Sequence, residues 1–158
     1  MKMICTLFLT AAALFSAFAA TDFPSPEETK DWIPGPDAMW MIHWDQAKER
    51  AAEENRNILV LSTGSDWCGW CIKLRKDVFE TGKFKDYAEK NLVLLWLDSP
   101  KKIRQPNAQK KHNADVRKNL KFGSGVPRVK LLSPDGTELR ESVGYRDLSS
   151  FMKFLQEK

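Results

Sequence analysis

The chain has 158 residues and carries 25 lysines and arginines against 21 aspartates and glutamates, a formal net charge of +4. With 42% hydrophobic and 29% charged residues it has globular composition, which excludes a wholly disordered or collagen-like chain. The length suits one domain plus a removable segment, with a core that needs no disulfide staples, and the scattered basic residues make no patch for nucleic acid.

Lys2 supplies a short positive region ahead of an apolar stretch from Ile4 to Phe18, interrupted by Cys5, Thr6, Thr10 and Ser16. Ala17-Phe18-Ala19 is a small-x-small site, so residues 1–20 read as a cleaved signal peptide. Met3 to Ala20 is barely long enough to span a bilayer, which leaves an uncleaved anchor as the alternative. Residues 21–38 hold Pro24, Pro26, Pro34 and Pro36 and read as an extended leader pinned through Trp32. Residues 39–158 form the domain.

Trp40, His43, Trp44 and Ala47 recur at helical spacing, and His43 to Glu54 reads as an amphipathic helix ended by Asn55-Arg56-Asn57. Ile58-Leu59-Val60-Leu61 is a short continuous apolar run, the pattern of a strand buried on both faces. A polar turn follows, then Trp67-Cys68-Gly69-Trp70-Cys71, then a helical stretch with Leu74, Val78 and Phe79 on one face. Gly82 breaks it, and Phe84 to Lys90 continues as another helical turn or two. Leu92 to Leu97 is a second buried strand. Lys101 to Pro106 is a basic loop, and Asn107 to Leu120 a polar helix with Ala108, Ala114, Val116 and Leu120 inward and His112 solvated. Val129 to Leu132 is a third strand, Ser133-Pro134-Asp135-Gly136 a type I turn, and Glu138 to Val143 its antiparallel partner. Leu148, Phe151, Met152 and Leu155 mark a closing helix. Right-handed crossovers then give an α/β fold, a mixed central sheet with helices on both faces.

Loss of the signal would remove Cys5 and leave only Cys68 and Cys71. Two cysteines three apart in an exported chain form a redox pair before they form a scaffold, since so short a loop gains little from closure. A helix start at Cys68 presents free N–H groups and the positive dipole end to its sulfur, which favours thiolate and makes Cys68 the nucleophile. Cys71, one turn further in, is the resolving thiol. An inert disulfide and a zinc site are the competing readings. The second needs four ligands, and the mature chain offers only His43 and His112, far apart in sequence.

With Trp67-Cys68-Gly69-Trp70-Cys71 after a buried strand and Gly125-Val126-Pro127 before a hairpin, the chain resembles the thioredoxin family over residues 39–158. Trp44-Asp45 and the run Gly64-Ser65-Asp66-Trp67 bring it nearest to exported bacterial members, and it is similar to the periplasmic C-terminal domain of the DsbD thiol transporter. The resemblance implies a thioredoxin-like fold and a cis Val126-Pro127 bond facing the cysteines. It implies protein thiol–disulfide exchange with no organic cofactor or metal beyond the Cys68–Cys71 pair. Trp67, Gly69, Trp70, Val126 and Pro127 are the expected substrate-binding residues.

Several positions depart from the family, among them Arg128, where threonine commonly follows the cis proline, and the Gly69-Trp70 pair between the cysteines. Thioredoxin has a buried aspartate six residues before the first cysteine and a lysine facing it from the next strand, and the alignment puts Ser62 and Leu94 there. Asp66 and Arg128 are then the charged candidates for tuning the Cys68 thiolate, Arg128 only if its side chain points at the cysteines. The expected partners are protein cysteine substrates and an upstream thiol donor or acceptor, such as a membrane thiol transporter, acting on a monomer in the periplasm or outside the cell. A redox-inactive module that binds partners through its tryptophan-rich surface is the alternative function.

Overall fold

A computed structural model describes residues 35–157. The proposed signal peptide and residues 21–34 of the leader, with Trp32, lie outside the described residues. In chain order the elements are β1 (Trp40–Met41), α1 (Trp44–Glu54), β2 (Asn57–Thr63), α2 (Gly69–Leu74), a π-helical turn (Arg75–Phe79), α3 (Gly82–Asn91), β3 (Leu92–Asp98), α4 (Asn107–Asn119), β4 (Arg128–Leu132), β5 (Glu138–Val143) and α5 (Leu148–Gln156).

The two apolar runs form the centre of a five-stranded sheet ordered β1-β3-β2-β4-β5. β2 and β3 pair in parallel from Asn57↔Leu92 to Thr63↔Asp98, while β4 runs antiparallel to β2 and β5 antiparallel to β4. Alternation along each strand splits the side chains between two cores. Leu59, Leu61, Leu94, Trp96, Val129 and Leu131 face α2, α3 and α5, packing on Leu74, Phe79, Phe84 and Phe151. Ile58, Val60, Val93, Leu95, Leu97 and Leu132 face Ala47 and Ala51 of α1 and Val116 of α4. Both faces of the sheet are therefore covered.

Three local readings change. Trp40 lies in a short strand not expected from the sequence, β1, paired with Leu94, and the first helix starts at Trp44 with His43 as its N-cap. The helix after the break is longer than a turn or two from Phe84: α3 runs ten residues from Gly82, because Thr81 caps its N-terminus with a side-chain oxygen on the Phe84 N–H. In α4 it is Gln109, Asn113 and Val116 that are buried, whereas Ala108 and Ala114 are exposed. The cause is hydrogen bonding at strand ends, where carbonyls need donors. Asn113 Nδ2 donates to the Asp98 carbonyl at 2.9 Å, and Gln109 Nε2 donates to the Ile42 carbonyl at 3.0 Å and to Asn113 Oδ1 at 2.8 Å.

His112, on the same face, is also not solvated: its Nε2 accepts the Trp44 N–H at 3.2 Å at the start of α1. Its ring lies 5.6 Å from that of His43, so residues distant in sequence meet here.

Two outcomes follow. Asn113→Leu removes two buried hydrogen bonds, leaving the Asp98 carbonyl only the 3.5 Å bond from Gln105 Nε2 and the Gln109 amide only the Ile42 carbonyl, and should cost about 1–3 kcal/mol in denaturant unfolding. Burial first, then the nearby His43, hold the His112 pKa below its ordinary value of 6.5. The folded protein thus binds fewer protons than the unfolded chain. The His112 contribution to stability is complete above about pH 6.5 and is lost as pH falls through the depressed folded value. Unfolding midpoints at pH 7.5 and 5 should differ more in the wild type than in His112→Gln; equal differences would refute the assignment.

Candidate active site

The end of β2 leads into a tight loop in which the Cys68 N–H donates to the Gly64 carbonyl at 3.0 Å. Cys68 is then the N-cap of α2, in extended conformation, and its Sγ accepts the Cys71 N–H at 3.2 Å. The cysteines are joined as a disulfide with Cα atoms 5.2 Å apart. Cys68 is 8% exposed and Cys71 4%, so the outer sulfur is the first of the pair. In the reduced protein the N–H that meets Cys68 Sγ stabilises a thiolate there. The Val126 carbonyl oxygen lies 3.7 Å from Cys68 Sγ, and the Val126-Pro127 peptide is cis.

Two carboxylates bind this loop to the one after β3. Asp98, buried at the end of β3, accepts from Ser65 N at 2.9 Å, Ser65 Oγ at 2.5 Å and Ser99 N at 2.8 Å. Burial raises its pKa against the lowering effect of those bonds. Asp66 reaches the other way and accepts the N–H groups of Lys101, Lys102 and Ile103 at 3.0, 2.6 and 2.8 Å. Burial is the largest single effect and pushes its pKa up, but the backbone donors together outweigh it and hold the carboxyl below the usual range. Trp67 completes the joint: Nε1 donates to the Ser99 carbonyl at 2.8 Å and Lys101 Nζ lies 3.9 Å above the ring. The indole leaves no room for a side chain at Gly64, where a Cβ would come within 2.4 Å of Cε2.

On the other side of the disulfide the surface is open. Trp70 is 60% exposed, against 39% for Trp67. With Val126, Pro127, Gly144 and Tyr145 it lines a shallow groove of about 330 Å³. The Gly144 N–H donates to the Pro127 carbonyl at 2.9 Å, closing the groove's floor. A larger cleft of about 780 Å³, beside Arg50, Arg56 and Lys85, is lined by none of the cysteine-loop residues.

Cys68, Trp70, Val126 and Pro127 thus come together as the sequence suggests, with Gly69 open beside them. Arg128 does not join them. Alternation sends its side chain to the face opposite α2, where Nε donates to the Ser124 carbonyl and Nη1 to Glu141 Oε1. Asp66 serves the neighbouring loop and not the sulfur. Ser62 pairs with Leu97 and Arg128, so the residue beside it on β3 is Leu97; Leu94 lies opposite Leu59. Among the described residues no three His, Cys, Asp or Glu side chains are grouped as around a metal ion. Tyr145 and Asp98 were missed. Asp98 had a signal, a carboxylate ending a buried apolar run; Tyr145 had none.

The thioredoxin-like family model matches residues 39–134. The chain belongs to this family. It is 30% identical over 107 residues to the disulfide bond reductase DsbH of Chlamydia pneumoniae, a match covering 66% of this chain and 64% of that protein. The solved structure of a DsbH oxidoreductase superposes with a TM-score of 0.67 at 25% identity, covering 74% of this chain and 81% of the other. The oxidised DsbD C-terminal domain of Neisseria meningitidis, at 13% identity, shares the fold with a TM-score of 0.53, over 71% and 89% of the two chains.

Asp66→Ala should free the Lys101–Ile103 amides. Hydrogen exchange there should quicken by about tenfold, as expected for loss of hydrogen bonds to a charged acceptor. Unchanged exchange would show that the loop holds itself.

Proposed function

We propose that the protein is an exported thiol–disulfide oxidoreductase that exchanges disulfides with protein cysteines. The observation that carries this reading is the Cys68–Cys71 disulfide at the start of α2, its outer sulfur beside the Val126 carbonyl and an open groove. The kinship with DsbH supports the reductive direction.

In that direction the Cys68 thiolate attacks one sulfur of a client disulfide. A Cys68–client disulfide forms and the client's other sulfur leaves as thiolate, taking up a proton from solvent. Cys71, deprotonated, then attacks Cys68 Sγ. The Cys68–Cys71 bond closes and the second client thiol is released. Two electrons pass to the client, and an external dithiol donor must return them; a membrane thiol transporter is the class of donor we favour. The Val126 backbone beside Cys68 suits β-type pairing with an extended client segment, and Trp70 adds apolar contact. The pair itself is the redox group, and the reading calls for no organic cofactor or metal.

Export rests on the N-terminal pattern of Lys2, the apolar stretch and Ala17-Phe18-Ala19. Among the described residues no helix is long and apolar enough to cross a membrane.

The reduced protein should accelerate dithiothreitol-driven reduction of insulin disulfides, and Cys68→Ser should abolish the acceleration; equal rates would overturn the enzyme reading. Cys71→Ala should accumulate dithiothreitol-sensitive adducts with exported proteins, because nothing resolves the mixed disulfide. Absence of adducts would argue against protein clients.

A further inference from the structure

Tyr145 lies 75 positions from Trp70, yet the two rings stand 5.6 Å apart at an interplanar angle of 39°. They are the two aromatic walls of the groove whose floor is Val126, Pro127 and Gly144. The tyrosine is held in place. Its hydroxyl donates to Asp77 Oδ2 at 2.7 Å, and Lys73 Nζ reaches the same oxygen at 2.5 Å while lying 5.0 Å from the centre of the tyrosine ring. Lys73 and Asp77, which hold the tyrosine, are thus paired with each other, and none of the five residues that line the groove is charged, so it offers mainly apolar surface.

The groove is also where a client must pass. Disulfide exchange requires the client sulfur to reach Cys68 Sγ, and Val126, whose carbonyl oxygen is 3.7 Å from that sulfur, forms part of the groove's floor. A client strand paired along the Val126 backbone therefore carries a residue next to its cysteine, or one further along, over Trp70 and Tyr145.

We infer that Tyr145 is a specificity residue, and that with Trp70 it selects clients with an aromatic or large aliphatic side chain within two positions of the reacting cysteine. The inference rests on the oxidoreductase reading. Burying such a side chain against the two rings, in place of a charged one that loses its hydration, favours the apolar client by about tenfold or more.

The test uses three disulfide-closed peptides, identical except for Phe, Ser or Glu beside one cysteine, and hydroxyethyl disulfide as a substrate too small to use the groove. Rates of attack by the reduced protein are measured for the wild type, Tyr145→Phe and Tyr145→Ser. The readout is the Phe-to-Glu rate ratio within each variant, so that a general loss of folded protein cancels. The ratio should be about tenfold in the wild type, stay well above unity in Tyr145→Phe and fall towards unity in Tyr145→Ser. A wild type that reduces all three peptides equally, or a ratio that survives Tyr145→Ser, overturns the inference while leaving the oxidoreductase reading intact. Failure to reduce any of them, hydroxyethyl disulfide included, removes both.

Discussion

The position of Cys68 depends on an exchange of carboxylates between two loops. Asp98 leaves β3 to hold Ser65 of the cysteine loop, and Asp66 leaves the cysteine loop to hold the backbone of Lys101, Lys102 and Ile103. Each acceptor is charged and each donor belongs to the partner loop, so neither loop can move alone without leaving strong hydrogen bonds unmade. β2 and β3 are already paired as far as Thr63↔Asp98, and the exchange extends that rigidity past the strand ends to the sulfur. A thiolate that must meet a disulfide in line gains from such support, because small errors of position reduce the rate.

The alternation of the sheet decides which charges can influence the sulfur. Val129 and Leu131 face α2, so Arg128 and Lys130 face away, where they pair with Glu141 and Glu138. Ser62 likewise shares its register with Leu97 and Arg128, on the side away from α2. The nearest buried acid is Asp98, which lies on the α2 side with Leu94 and Trp96. Its three hydrogen bonds commit it to the loops. The site therefore relies for thiolate stabilisation on the start of α2, through the Cys71 N–H, and not on a side-chain cation.

What was legible in the sequence is what is written locally. Ile58–Leu61 and Leu92–Leu97 announce buried strands because both their faces meet apolar neighbours, and the two cysteines announce a helix start because their chemistry needs one. β1 was illegible because two residues carry no period. The inward face of α4 was misread because apolarity was taken as the mark of burial, whereas Gln109, His112 and Asn113 turn inward to meet carbonyls and an N–H that no apolar side chain can satisfy. The direction of Arg128 was illegible for another reason. Strand alternation gives two faces, but only the packed fold says which of them α2 covers. Tyr145 belongs to a third class, a residue whose role arises solely from a contact across the fold.

The two tryptophans that flank the cysteines look equivalent in the sequence and are not. Trp67 has its N–H bonded to Ser99, its ring beneath Lys101 and its edge against Gly64, so its surface is largely committed to holding the loop. Trp70 projects from the first turn of α2, mostly exposed, and its ring meets that of Tyr145. The exposed indole offers apolar surface beside the disulfide. One side of the disulfide is therefore built as a rigid frame and the other as a contact surface. On the proposed exchange with protein cysteines, a client would approach Cys68 over the contact surface, while the frame keeps the sulfur in place.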